Sequence, residues 1–235
     1  MKLRVASYNI RKALGIDRKR SPERILSVIN GIGADVVLLQ EADHRLGPRR
    51  AALPRSLIER ESDYRVADLA VNEVSLGWHG NAILVRDGLT VTATERFDLP
   101  GLEPRGAVMA AVGGVHLVGT HLGLVRRSRQ LQMQAILDHL GDRTETCLVG
   151  GDFNEWSRRA GFEPWADDLS LVTPGPSFHS ARPVGRLDRF AHGPGLRVRS
   201  AGVEHHGAAL RASDHLPVWC EASLEASGPP DASRR

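Results

Sequence analysis

Short apolar runs that end on polar residues recur along the whole chain, and they define its predicted elements. Residues 3–9 alternate and close on Tyr8-Asn9-Ile10-Arg11, which reads as a first strand delivering Asn9 to its C-terminal end. Ser21-Pro22 has the form of a helix N-cap with proline at the first helical position. Ile25, Val28, Ile29 and Ile32 follow at i, i+3, i+4 and i+7, a single apolar stripe, and Gly31 and Gly33 bracket its end. Val36-Val37-Leu38-Leu39 is continuously apolar, the pattern of a strand buried on both faces, and it runs out into Gln40-Glu41. Residues 45–61 are Arg-rich and are expected to be helical, with Pro54 against that reading. Further strands are predicted at 64–68, 80–86, 89–97, 106–112 and 115–121, the last ending on His121. Met133, Ile136, Leu137 and Leu140 give one face to a helix over 126–140.

The next run, Thr146-Cys147-Leu148-Val149, reads as a buried strand stopped by a sharp turn at Gly150-Gly151. In extended geometry Asp152 and Asn154 then share one face while Phe153 anchors the other; the alternative is a turn in which both polar residues bond their own backbone. Residues 155–185 read as loops and short helices, with Trp156, Trp165 and Phe178 as packing anchors. Short strands are expected at 186–190 and 196–203, a loop at His205-His206, and a final strand over 216–224. Strands outnumber helices, the first helix falls between two strands, and neither a linker nor a repeat interrupts the pattern. One domain over residues 1–225, with stacked sheets inside and helices outside, fits best. The stretch 226–235 lacks an apolar anchor and is expected to be a disordered tail.

Composition changes this picture little. With 235 residues the chain can bury a sizeable core. A net charge of +3 is too small to imply a nucleic-acid partner, and clusters such as Arg49-Arg50 and Arg126-Arg127-Arg129 read first as solvated faces. Cys147 and Cys220 sit inside strand-like runs and are expected to be buried free thiols, with neither a disulfide framework nor zinc-type spacing. The chain enters a strand at once, without a signal-peptide segment, and has no run of membrane-spanning length, so a cytoplasmic location is the expectation.

The polar residues at strand ends carry the chemistry. Asn9, Glu41, His121, Asp152 with Asn154, Asp188, and Asp214 with His215 all fall at or near such ends. If those ends converge they line one cleft, and four carboxylates gathered there cost several kcal/mol unless a cation balances them. Oxygen and amide donors without cysteine favour Mg²⁺ or Mn²⁺ over zinc.

Seven motifs, in order, resemble those of the endonuclease/exonuclease/phosphatase superfamily: Tyr8-Asn9-Ile10-Arg11, Leu38-Leu39-Gln40-Glu41, Gly80-Asn81-Ala82-Ile83-Leu84, Gly119-Thr120-His121-Leu122, Gly151-Asp152-Phe153-Asn154, Leu187-Asp188-Arg189-Phe190 and Ser213-Asp214-His215-Leu216-Pro217-Val218. The resemblance runs from residue 4 to about residue 222 and is greatest to the deoxyribonuclease-like, small bacterial metal-dependent hydrolases. It implies an α/β (α+β) fold, a four-layer αββα sandwich of two mixed β-sheets with outer helices. It also implies hydrolysis of a phosphoester with Mg²⁺ or Mn²⁺. On that resemblance Glu41 is the main metal ligand, with Asn9 and Asp214 close to the ion directly or through water. His121, Asp152, Asn154, Asp188 and His215 form the catalytic set, and Asn81 and Arg105 support the substrate phosphate.

Within that set, Asp188 fixes the tautomer of His215, while His121, His215 and Asn154 donate to the phosphorus centre as its charge grows. Asp152 is the candidate to bind the attacking water and take its proton, or else a ligand of a second metal; a further alternative gives His215 the base role and makes His121 the leaving-group acid. The substrate is expected to be a lipid headgroup or small phosphodiester. A DNA or RNA nuclease is the second reading and a non-catalytic binding module the third. Oligomeric state is open.

Overall fold

The computed structural model describes residues 1–225, so the expectation for the tail at 226–235 lies outside the described residues. Strand β1 (Lys2–Asn9) is followed by a turn, helix α1 (Pro22–Ile32) and β2 (Val36–Gln40). Ser21 caps α1 as expected: its side chain accepts the Arg24 N–H, and Gly33 closes the helix in the left-handed region at φ 63°. Helix α2 (Arg55–Glu61), β3 (Tyr64–Val66) and β4 (Ala82–Arg86) complete the first half. In the second half β5 (Val91–Leu99), β6 (Arg105–Val112) and β7 (Val115–His121) lead through α3 (Arg126–Leu140) to β8 (Cys147–Asp152). The chain ends with β9 (Ser170–Val172), β10 (Asp188–His192), β11 (Leu196–Val203), a short α4 (Ala209–Ala212) and β12 (Val218–Leu224).

These strands form two six-stranded sheets, ordered β11-β12-β1-β2-β4-β3 and β5-β6-β7-β8-β10-β9. Each is mixed, and each holds one parallel pair, β1 with β2 and β7 with β8. A parallel pair needs a long crossover, and the two longest helices, α1 and α3, supply them. Three apolar cores define four layers. Leu3, Val5, Leu38, Val108, Leu148 and Phe190 pack between the two sheets. Ile25, Ile29 and Ile58 pack helices α1 and α2 on the outer face of the first sheet, while Met133, Ile136 and Trp165 cover the second. This is the stacked-sheet arrangement expected from the chain's pattern and the αββα sandwich that the resemblance implies. Ligands of such sheets sit beyond the C-terminal ends of parallel strands, which here carry Asn9 and Glu41 on one sheet and His121 and Asp152 on the other.

Three local expectations are corrected. Gly150 and Gly151 do not turn the chain; they lie inside β8. A Cβ on Gly150 would sit 2.7 Å from Leu38 Cδ1 of the facing sheet, and one on Gly151 1.9 Å from the Thr120 carbonyl oxygen of β7. Glycine is therefore required by close sheet packing rather than by a turn. The helix expected over 45–61 is confined to Arg55–Glu61, with Pro54 as its N-cap. The stretch before it forms a bridge between Asp43 and Ala51 and a turn at Gly47, where φ is 66°. Of the three aromatic anchors, Trp165 is buried and Phe178 half-buried, but Trp156 is 61 % exposed. Both cysteines are buried and free, as expected. Among the described residues no helix is long and apolar enough to cross a membrane.

Candidate active site

Sheet register sets the first three residues in a row. His121 on β7 pairs with Asp152 on β8, and Asp152 pairs in turn with Asp188 on β10. Successive residues of a strand point to opposite faces and register neighbours to the same one, so this row is a direct product of strand pairing. His215 arrives from the other sheet's side, on the segment before β12, where it bridges to Phe178. Its Nδ1 lies 2.8 Å from Asp188 Oδ2, and Ser177 Oγ donates to that same carboxylate oxygen. Its Nε2 lies 3.6 Å from Asp152 Oδ2, and His121 Nε2 lies 3.4 Å from the same atom.

Asn9 joins the sheets. Its Nδ2 donates to Asp152 Oδ2 at 3.1 Å, while its backbone carbonyl accepts the Ser213 hydroxyl at 2.7 Å. The turn after β1 then reaches both remaining acids: Arg11 Nε is 3.2 Å from Asp214 Oδ2, and Lys12 Nζ pairs with Glu41 Oε2. His121 and Glu41 line one cavity of about 260 Å³, together with Arg105. Asn9, Glu41, His121, Asp152, Asp214 and His215 thus stand at one end of the sandwich, linked by direct contacts or by a shared cavity.

Asn154 does not follow Asp152 in extended geometry. It is left-handed at φ 52°, its N–H donates to Asp152 Oδ1 at 3.0 Å, and its Nδ2 donates to the Leu122 carbonyl at 2.8 Å. The turn reading of this pair is realised, with Phe153 fully buried against Trp165 as the anchor. Asn81 Nδ2 donates to the Gly106 carbonyl at 2.9 Å, so it pins β6 beside the cavity that Arg105 lines, and among the described residues its Oδ1 has no partner. His79 lines that cavity too, whereas Trp78 packs against the inter-sheet core. His205 and His206 remain exposed loop residues.

Electrostatics separates the two histidines. Burial opposes a charge on His215, but the carboxylates of Asp188 and Asp152 outweigh it and raise its pKa to about 10. Burial dominates at His121 and lowers it to about 3; Asp152 opposes that fall, and Arg105 and His215 add to it. One ring is therefore a cation at neutral pH and the other a neutral donor–acceptor.

The donor set suits a hard divalent ion. Glu41 and Asp214 each pair with a cationic side chain from the 11–12 turn, and Asn9 adds an amide oxygen. Asp152, Asp188 and His215 also place one donor atom each within 4.8 Å of one another. In that cluster, however, Asp188 Oδ2 and His215 Nδ1 are already bonded to each other, the geometry of a carboxylate orienting an imidazole.

Four partners of the site were not singled out from sequence: Lys12, Ser177, Phe178 as a neighbour of His215, and Glu155. The Phe178 ring lies 4.8 Å from that of His215. Glu155 is buried against Arg129 at 2.7 Å and holds the chain just beyond Asn154. Lys12 and Glu155 carried the same sequence signal, a place directly after a motif, Tyr-Asn-Ile-Arg for Lys12 and Gly-Asp-Phe-Asn for Glu155.

Residues 6–215 match the Endonuclease/Exonuclease/phosphatase family. The chain is 26 % identical over 249 aligned positions to the uncharacterized protein YbhP of Escherichia coli K12, covering 94 % of this chain and 96 % of that one. In structure it is similar to the mannosyl-6-phosphatase Bt3783 of Bacteroides thetaiotaomicron, with a TM-score of 0.72, 17 % identity, and 94 % and 100 % of the two chains covered. It is also similar to D. rerio TDP2 complexed with a single-strand DNA product, with a TM-score of 0.70, 20 % identity, and 95 % and 99 % covered.

Proposed function

The chain belongs to the endonuclease/exonuclease/phosphatase family, whose members hydrolyse phosphoester bonds, and from that premise we propose that it is a Mg²⁺- or Mn²⁺-dependent phosphodiesterase acting on a small organic phosphodiester or lipid headgroup. The observation that carries this reading is the approach of His121 Nε2 and His215 Nε2 to one oxygen of Asp152, at 3.4 and 3.6 Å. Two nitrogen donors thus meet one carboxylate oxygen that also accepts the Asn9 amide, and His121 lines the Glu41 cavity as well.

Glu41 is the principal ligand of the ion, with Asp214 and Asn9 beside it. When bound, the ion withdraws charge from a phosphate oxygen and acidifies water. Asp152 accepts the proton of the attacking water. His215, held through Nδ1 by Asp188, presents a protonated Nε2 to the phosphate, where negative charge grows. A cationic His215 has no lone pair to act as base, which supports Asp152 in that role over the reverse assignment. A neutral His121 serves as a hydrogen-bond donor and is a poor leaving-group acid. Asn154 Nδ2 donates one of its two hydrogens to the Leu122 carbonyl at 2.8 Å, which leaves the other for the phosphate. Arg105 and Asn81 shape the neighbouring wall.

A nuclease uses the same chemistry, and the likeness to TDP2 bound to a DNA product supports keeping it as the second reading. A substrate panel with Mg²⁺ or Mn²⁺ separates the two: bis(4-nitrophenyl) phosphate, an aryl monoester, phospholipids, oligonucleotides and plasmid DNA. Turnover of the diester without plasmid nicking is the expected result. Nicking that falls steeply with salt makes the protein a nuclease. Inactivity on every substrate, with no metal-linked rise in melting temperature, removes the enzyme reading.

A further inference from the structure

Among the described residues, eight that are not glycine hold left-handed backbone. Four of them, Lys12 (φ 55°), Glu41 (52°), Arg49 (52°) and His79 (49°), line the one cavity of about 260 Å³ beside His121. Residues other than glycine enter this region at a cost, and such strain gathers where a ligand is held. Strain at four points of one wall, from four separate segments, is not a by-product of one awkward turn.

Among the side chains lining the cavity, Lys12, Arg45, Arg49 and Arg105 are cationic, against the acids Glu41, Asp43 and Glu103. Arg105 is only 7 % exposed, and among the described residues its Nε has no hydrogen-bond partner. Arg49 Nη1 lies 3.1 Å from His79 Nδ1. His79 is kept neutral by burial and by the Arg49 charge, with Asp98 3.2 Å from its Nε2, so it accepts from Arg49 and fixes the guanidinium. Lys12 projects from its strained turn onto Glu41. The acids on the same wall are engaged: Asp43 is buried and accepts the Leu76 N–H at 2.9 Å, and Glu103 pairs with Arg105 Nη2 at 2.8 Å while remaining partly exposed. The volume lies just under the ~300 Å³ at which small-molecule pockets begin, which suits one compact polar group rather than a polymer.

We propose that this cavity binds a second anionic group of the substrate, a phosphate carried on the same small organic molecule as the scissile phosphoester, through Lys12, Arg49 and Arg105. The substrate class is then a phosphodiester bearing a further terminal phosphate. This rests on the phosphodiesterase reading for its meaning, and the pocket is testable apart from it.

Calorimetry on the metal-free protein compares propane-1,3-diyl bisphosphate with propyl phosphate as probes. The wild type should bind the bisphosphate at least about tenfold more tightly, and Arg49→Gln should reduce that ratio to below about threefold. Arg49→Lys, which keeps the charge, should retain an intermediate ratio and serves if Arg49→Gln does not fold. Equal affinities in the wild type, or a preference that survives both Arg49→Gln and Lys12→Gln, overturn the proposal. A preserved bisphosphate preference without metal-dependent hydrolysis of any substrate of the panel or of a phosphorylated diester upholds the pocket and discards the phosphodiesterase reading. With active enzyme, a 5′-phosphorylated dinucleotide and a phosphorylated lipid headgroup, each against its unphosphorylated counterpart, tell the two sources of the chemistry apart. A gain for either supports the proposal, and a gain for neither overturns it.

Discussion

Asp188 Oδ2 and His215 Nδ1 lie 2.8 Å apart, both buried, and join the second sheet to the segment that precedes the last strand of the first. This pair determines which way the His215 ring faces and which charge it carries. Its folded pKa is raised from an ordinary 6.5 to about 10, after the two neighbouring carboxylates overcome burial. The protonated ring therefore stabilises the fold fully below about pH 6.5, and that stabilisation is lost as pH rises through about 10. In metal-free protein Asp188→Asn should lower the His215 pKa by more than about one unit, read by NMR of the ring nitrogens. The melting-temperature gap between wild type and variant should be widest below pH 6.5 and narrow toward pH 10. An unchanged His215 pKa would contradict the orienting role.

Asp152 receives both imidazoles and the Asn9 amide. Asp152→Asn and His215→Ala should each cut turnover of a diester at least about 100-fold while leaving the urea unfolding transition cooperative. Near-normal activity in either variant removes that residue from the reaction.

The loop that carries Asn154 is held by a buried acid. Burial alone would raise the Glu155 carboxyl, but the Ser157 amide and the guanidiniums of Arg129 and Arg126 hold it below its ordinary range. Its stabilisation is thus present above the ordinary carboxylate pKa and is lost as pH falls through the lower folded value. Arg129→Met leaves Glu155 with the half-exposed Arg126 and should cost about 3 kcal/mol in urea unfolding at neutral pH. The deficit should shrink in acid. A deficit independent of pH would mean that packing, not charge, holds the loop.

Two glycines should respond in opposite ways to alanine. Gly151→Ala drives a methyl group onto the Thr120 carbonyl, 1.9 Å away in the paired strand, and backbone cannot yield as a side chain does. It should destabilise by about 3 kcal/mol or prevent folding, and displace Asp152 in the variant that survives. Gly31→Ala, in helix α1 with nothing within 4 Å of the added carbon, should stabilise by about 0.5–1 kcal/mol. Thermal melts of the two variants check both signs.

The strand ends were legible because each couples an apolar run, which burial forces into a sheet, to a polar tip that the sheet must then expose or bond. That is why Asn9, Glu41, His121 and Asp152 could be read off as one set before any contact was known. Gly150 and Gly151 misled because a glycine pair carries the same local signature whether it turns the chain or lets Leu38 and Thr120 approach. The Arg-rich stretch after Glu41 had helical composition, yet it forms the wall of the anion cavity, where Arg49 takes a backbone angle no helix offers. Ser177 with Asp188, and Lys12 with Glu41, join residues from separate segments, and no spacing rule links them.

The position of a divalent ion decides the role of Glu41. Anomalous diffraction from a crystal soaked in Mn²⁺ measures this directly. The peak should lie within about 2.2 Å of a Glu41 oxygen, with Asp214 and Asn9 coordinating directly or through water, and Lys12 moved off the carboxylate. A peak between Asp188 and His215, or none at this end of the sandwich while Lys12 keeps its place on Glu41, would contradict that role.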